Sequence, residues 1–194
     1  MTKRDKKGIE AYLPIFCLPF FLVLIVCMSL LISGAATLSI SGFAVDDYER
    51  IYVGTANAIS VYEGGKLAYE IDPQTSRTYR FTIDDNGNLL LSTSTKIYIM
   101  DLQGNIIETK EDPGADTYNQ ISYRKNKFVS QKGDEYRLIN FGRTKIVKNG
   151  TQTVYQIDDI SFSVRVSVIV CTVGLLAFLL LGLFNRKNRL NSLQ

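Results

Sequence analysis

The sequence predicts two transmembrane α-helices flanking an all-β extracytoplasmic domain of about three four-stranded repeats. Three observations carry this expectation. Two uncharged apolar runs lie near the ends, Ala11 to Ile32 and Val166 to Phe184, and about 20 apolar residues at 1.5 Å each suffice to cross a hydrocarbon core of roughly 30 Å. Between the runs the chain echoes itself at an offset of 38 residues. Each echo contains four short segments rich in Val, Ile, Tyr, Phe and Thr, with turn residues between them, which is the pattern of successive β-hairpins.

In chain order the expected organisation is a basic cytoplasmic tail (1–10), a transmembrane helix (11–33), an extracytoplasmic β-repeat domain (36–160, units at about 43–80, 81–120 and 121–158), a second transmembrane helix (163–184) and a second basic tail (185–194). Lys3, Arg4, Lys6 and Lys7 precede the first run, and Arg186, Lys187 and Arg189 follow the second. Positive charge beside a span is retained in the cytoplasm, so both termini are expected there, in the cell membrane, with the middle outside. Neither tail is long enough for a cytoplasmic catalytic domain. A cleaved signal peptide is the alternative for the first run, because Ser33-Gly34-Ala35-Ala36 offers small residues for cleavage. The run is longer than an ordinary signal core of about 7–15 residues, which favours an uncleaved anchor. Pro14 and Pro19 are expected to bend its start. On the second run, Ser163, Ser167, Cys171 and Gly174 fall at i, i+4, i+8 and i+11. The last three are candidates for close helix packing, against the first helix or a partner.

The repeat is clearest in its first two copies. Phe43-Ala-Val-Asp46-Asp47 matches Phe81-Thr-Ile-Asp84-Asp85, Ile51 to Thr55 falls on Leu89 to Thr93, and Ile59 to Val61 falls on Ile97 to Ile99. A weaker third copy is read from Ile121 and Tyr123, then Lys127 to Ser130, Tyr136 to Ile139 and Thr144 to Val147. Asn86-Gly87 supplies the positive φ that a tight hairpin needs. Four antiparallel strands in about 40 residues is the arithmetic of a propeller blade. A small β-sandwich or barrel, closed by Thr37 to Ile40 and Thr153 to Ile157, is the alternative architecture.

The run Phe43 to Thr55 with Ala58 to Leu67, and the run Phe81 to Ile107 with its Asp84-Asp85-Asn86-Gly87-Asn88 turn, resemble blades of the NHL and related propeller families. The resemblance covers two good blades and one poor one and carries no catalytic motif. It implies a scaffold that binds other proteins, sugars or nucleic acid. Closed propellers use typically four to eight blades, so about three units imply an open stack or a ring completed by other chains. Self-association follows as an expectation, since repeat arrays expose apolar faces at their ends.

The chemistry available to the middle is narrow. The chain has no histidine, which removes imidazole as general base or zinc ligand. Its three cysteines, Cys17, Cys27 and Cys171, all lie in the apolar runs, so no disulfide and no thiolate site is expected in the middle. No cofactor and no metal is expected. The recurring Asp46-Asp47 and Asp84-Asp85 pairs are read as turn residues that bond their own backbone, with a carboxylate-based hydrolase as the sharper alternative. Asn149-Gly150-Thr151 is likewise read as a turn.

Charge is uneven along the middle. Residues 43–116 hold 6 basic and 13 acidic side chains, whereas 124–148 hold 8 basic and 2 acidic. The basic set, Arg124, Lys125, Lys127, Lys132, Arg137, Arg143, Lys145 and Lys148, is a candidate binding face for anionic lipid, a surface polymer or an acidic protein. Head-to-tail pairing of acidic and basic units between copies is a second reading. Nucleic acid is not expected, because the middle is net acidic and external. The function expected from sequence is a membrane-anchored extracytoplasmic binding or interaction protein without catalytic activity. A small accessory subunit of a membrane transport or secretion complex is the alternative, and a carboxylate-based hydrolase follows it.

Overall fold

The computed structural model describes residues 3–75, 78–124, 126–130 and 132–191. It opens with α1 (Lys3–Ile32). Eight strands follow: β1 (Gly42–Val45), β2 (Ile51–Gly54), β3 (Ile59–Glu63), β4 (Lys66–Ile71), β5 (Arg80–Ile83), β6 (Leu89–Ser92), β7 (Lys96–Met100) and β8 (Ile106–Glu111). Then come α2 (Asp116–Arg124), β9 (Lys127–Val129), β10 (Glu135–Ile139), β11 (Lys145–Lys148), β12 (Gln152–Gln156) and α3 (Asp159–Asn191). The chain divides into two units, Met1–Leu38 with Asp159–Gln194, and Ser39–Asp158.

In the first unit α1 and α3 pack on each other. Cys27, Ala36 and Val164 form its buried cluster, and Phe20 meets Phe178 edge-on with ring centroids 5.9 Å apart. Asp159–Phe184 of α3 is long and apolar enough to cross a membrane. The apolar stretch described in α1, Cys17–Ile32, is shorter, so one helix of spanning length, not two, is found among the described residues. The side chains of 11–16 and of both basic tails lie outside them. The helices also overrun the expected boundaries, because Lys, Arg and Glu favour helix nearly as well as apolar residues do. The expected tail 1–10 joins the 11–33 segment in one helix from Lys3, and α3 continues through the second tail to Asn191.

The second unit is all-β apart from α2. It consists of three four-stranded antiparallel sheets: sheet A (β1-β2-β3-β4), sheet B (β5-β6-β7-β8) and sheet C (β9-β10-β11-β12). Each is a meander of consecutive hairpins, compatible with a propeller-like blade. The sandwich or barrel alternative is not what forms: Thr37 to Ile40 is not a strand, and β12 is the edge of sheet C.

Sheet A occupies the middle of the stack. Its pairing puts Ala44, Tyr52, Val61 and Tyr69 on one face, and Phe43, Val53, Val45 and Ile51 on the other. The first face packs on Tyr79, just before β5, and on Phe81, Leu89, Leu91 and Met100 of sheet B. The second packs on Tyr136, Leu138 and Ile146 of sheet C. β1 and β2 are therefore buried at every position instead of alternating. Phe128 of β9 touches both clusters and lies 6.4 Å from the Phe43 ring. The spatial order is thus C, A, B, and the chain must travel from B back to C.

That return changes the third repeat. Ile121 and Tyr123, expected as strand residues, lie in α2. Asp112 accepts the backbone N–H groups of Asp116 and Thr117 at 3.1 Å and starts the helix, since a carboxylate oxygen satisfies donors that have no intrahelical partner. The third-copy equivalent of Asp46 and Asp84 is consequently Ser130. All three open the same turn, with Asp46 N–H to Arg50 O, Asp84 N–H to Asn88 O and Ser130 N–H to Asp134 O.

Close packing between sheets A and B depends on Gly54. A Cβ there would stand 2.5 Å from Cε1 of Phe81 and 3.3 Å from the Tyr79 hydroxyl. That hydroxyl donates to Thr55 O at 2.7 Å. Gly54→Ala is expected to destabilise the β unit by about 1–3 kcal/mol through overpacking, read as a lower urea midpoint. Adding Phe81→Leu is expected to recover part of the loss, and an unchanged midpoint in the single variant would remove this account of the interface.

Candidate functional site

The first-strand turns of the three sheets gather at one end of the β unit. Asp46 accepts N–H groups from Tyr48 (3.0 Å) and Arg50 (2.9 Å), the Arg50 Nε at 2.6 Å, and the Tyr52 hydroxyl at 3.2 Å. Asp84 accepts N–H groups from Asn86 (3.0 Å) and Asn88 (2.8 Å). Both are turn-forming carboxylates that bond their own backbone. Asp46 is itself buried and pairs with the half-buried Arg50 guanidinium, and burial followed by the hydrogen bond to Tyr69 pushes the Tyr52 phenol well above its ordinary range.

Beneath these turns lies a cavity of about 780 Å³. Its apolar wall comes from Phe43 and Val45 of β1, Phe81 and Ile83 of β5, and Phe128 and Val129 of β9. Leu90 of β6 and Leu102 extend it. Asp46, Asp47, Asp84 and Asp85 lie on one side of the polar lining, with Arg124 and Lys127 also on the cavity. Thr117, Gln120, Ile121 and Arg124 line it from α2. Their spacing of i, i+3, i+4 and i+7 is that of one helix face. Arg80 stacks over the Tyr118 ring at 5.6 Å and ties α2 to sheet B. An apolar body with a few convergent polar groups is the usual make-up of a small-molecule site. Among the described residues no group of three or more Asp, Glu, Cys or His side chains is placed to hold a metal ion.

The eight basic candidates do not share one face. Arg124 and Lys127 line the cavity, and Lys127 also pairs with Glu135 at 2.8 Å. Arg137 pairs with Glu135 on the outer side of sheet C. Lys132 donates to the Asp47 carbonyl at 2.9 Å, and Lys148 contacts Asp134 at 2.8 Å and Glu49 at 3.1 Å. Arg143 and Lys145 lie at the opposite end, where Arg143 Nε donates to Ile157 O at 3.1 Å. Lys125 lies outside the described residues. The charge complementarity expected between copies is partly used within one chain, holding sheet C on sheet A. Of the helix candidates, Cys171 is buried and Ser167 is half-buried. A Cβ on Gly174 would lie 2.9 Å from the Phe20 ring.

Sequence reasoning missed α2 and its cavity-lining residues Thr117, Gln120 and Ile121. The signal was present in their helical spacing, but Ile121 and Tyr123 also fit a strand's alternation.

No protein-family model matches the chain, and no curated protein matches it. Solved structures similar to the chain include the following three. A Bacteroides caccae protein of unknown function shares 13% identity at a TM-score of 0.33, over 62% of this chain and 46% of that one. A streptogramin B lyase shares 13% at 0.34, over 60% and 39%. A virginiamycin B lyase from Staphylococcus aureus shares 18% at 0.33, over 60% and 40%. The chain spans less than half the length of each. The expectation of a chain without catalytic activity finds no support among these neighbours, two of which are themselves named as lyases. The absence of histidine removes imidazole chemistry alone and leaves carboxylate, tyrosine, lysine and arginine side chains available.

The Lys148 contacts give a pH test of the ion-pair cluster that joins Asp134, just before β10, and Lys148 of β11 to Glu49 of the β1–β2 turn. The Lys148 side chain is 16% exposed, and hydrogen bonds first to Asp134 and then to Glu49 hold its amine well above the ordinary lysine range. Bonds from Lys148 and Asn149 hold the Asp134 carboxyl below the ordinary carboxylate range. The Asp134 contribution is present above its unfolded pKa and lost as pH falls through the depressed value. The Lys148 contribution is present below its unfolded pKa and lost as pH rises through the raised value. The difference in urea midpoint between wild type and Lys148→Met is therefore expected to be constant through neutral pH and to shrink at both acid and alkaline extremes. A difference that does not vary with pH would remove the ion pair as its source.

Proposed function

We propose that this chain is a membrane-anchored, extracytoplasmic binding protein whose β unit holds a small ligand in the cavity between β1, β5, β9 and α2. The observation that carries this reading is the cavity itself, with its apolar wall and charged lining. Arg124 offers a partner to an anionic group on the ligand, the carboxylates of Asp47 and Asp85 offer acceptors to a donor group on it, and the phenylalanines favour an aromatic or aliphatic body. The spanning-length helix α3 supports anchoring. A screen of aryl carboxylates and sulfonates, read as the unfolding midpoint of the purified protein, tests the proposal. A binder is expected to raise the midpoint, by an amount equivalent to about 2.7 kcal/mol at a hundredfold excess over Kd. Arg124→Glu is expected to weaken that binder about tenfold, and Leu90→Glu to abolish it. Stabilisation that survives both substitutions, or a panel without binders, would count against the cavity as the site.

The presence of Asp47 and Asp85 on this one cavity favours a second reading, carboxylate-based hydrolysis, in which one acid protonates a leaving group and the other activates water. Asp47→Asn with Asp85→Asn is expected to abolish any hydrolytic activity of the wild type. The unfolding midpoint should be retained, because Asp46 and Asp84 hold the turns. Hydrolysis that survives the double change excludes these acids.

A further inference from the structure

The helix α2 forms one wall of the cavity but buries none of its nine residues. A helix shorter than about 12–15 residues is marginal in water by itself, so α2 depends on what it packs against. It packs chiefly on β5. Asp112 caps its first turn, and the residue just before it, Ala115, sits in the left-handed region at φ 52°. That conformation is costly for a residue that carries a Cβ. At the other end of α2, Tyr123 and Arg124 are exposed.

The contact between α2 and β5 is incompletely bonded. Arg80 lies over the Tyr118 ring and donates through Nη1 to Tyr79 O at 3.0 Å. Its Nε is shielded from solvent and meets no acceptor among the described residues. Ser122 stands one turn beyond Tyr118 on the same helix face, and its shielded hydroxyl likewise meets no partner there. Such groups give up bonds to water on docking and gain none in return. The strands of the other walls are held differently. β1 and β5 are paired at every residue with β2 and β6, and they bury Phe43, Val45 and Phe81. Docked α2 therefore sets little apolar burial against a strained residue and two unmet polar atoms, which leaves a small free-energy gap to an undocked state. An occupant touching Thr117, Gln120, Ile121 and Arg124 adds contacts to the docked state alone and shifts the balance toward it.

We infer that α2 is the gate of the cavity: it lifts off β5 to admit a ligand and is clamped shut by that ligand once bound. The inference rests on the ligand-holding reading above and makes α2, not the acid-lined mouth, the way in.

The gate can be tested without a ligand. Leu90 lines the cavity from β6, and the β unit contains no cysteine. Full-length protein carrying Leu90→Cys is labelled with 2-sulfonatoethyl methanethiosulfonate, a water-soluble anion. Wild type, whose cysteines all lie in α1 and α3, sets the background. Amide exchange in β1 and β6 is followed alongside. Tyr118→Ala removes the stack on Arg80 and is expected to speed labelling about threefold. Ser122→Ala removes an unmet hydroxyl and is expected to slow it about tenfold. Exchange in the strands should be unchanged in both. A labelling rate indifferent to both substitutions overturns the gate, because the reagent then enters by the mouth. Faster labelling in Tyr118→Ala matched by faster exchange in β1 and β6 also overturns it, because the sheets themselves are then opening. A rate that follows α2, in a protein that binds no compound of the screen above, supports the gate and overturns the ligand-holding reading alone.

Discussion

Sheet A is covered on both faces, by sheet B through Ala44, Tyr52 and Val61 and by sheet C through Phe43, Val45 and Val53. The other elements are arranged around this double burial. Because C and B lie on opposite sides of A, the connection between them cannot be a short turn, and it takes the form of α2. Because α2 returns past the first strands of the sheets, it leaves a cavity and lines it. The close approach at Gly54 and Phe81 on one side, and the Lys148–Glu49 and Lys132–Asp47 contacts on the other, hold the two outer sheets in place. A fully buried Val, Leu or Phe contributes about 1.5–3 kcal/mol, so the two apolar interfaces outweigh the exposed ion pairs as a source of stability.

The strands of sheets A and B were legible because apolar segments of four to six residues alternate with Asp, Asn and Gly turns. Phe81 to Asp85 repeats Phe43 to Asp47 with the same turn hydrogen bonds. The continuous run Ile51-Tyr-Val-Gly could be read as buried, but no pattern in it says what covers each face. The third repeat was misread where nine residues of α2 contain an apolar pair two apart. The true register moves the repeat from 38 residues, Asp46 to Asp84, to 46, Asp84 to Ser130. The carboxylate turns were legible as turn chemistry. The cavity was not, because it exists only once α2 is placed against β5. The basic residues after Arg124 were legible as charge and not as a face, because the sign of Lys148 does not reveal that Asp134 and Glu49 meet it.

Two kinds of carboxylate share the cavity mouth. Asp46 and Asp84 are committed to turns, and Asp46 is further held by Arg50 and Tyr52. Asp47 and Asp85 are the next residues along, carried on backbones that those turns fix. A rigid turn that presents its second residue to a cavity is a general way to hold a polar group in position.

The central place of sheet A also sets an order of events as the chain is made. Its face toward sheet B finds its partner within a few tens of residues, since Phe81 and Leu91 follow soon after Tyr52. Its other face has no partner until Tyr136, Leu138 and Ile146 have emerged, some 90 residues later. Until then Phe43, Val45 and Val53 stand open to water, and contacts that wait on distant sequence form slowly. A ribosome pausing between α2 and β10 would therefore hold a nascent chain with half of its central sheet bare, which is the interval in which a chaperone would have something to grip.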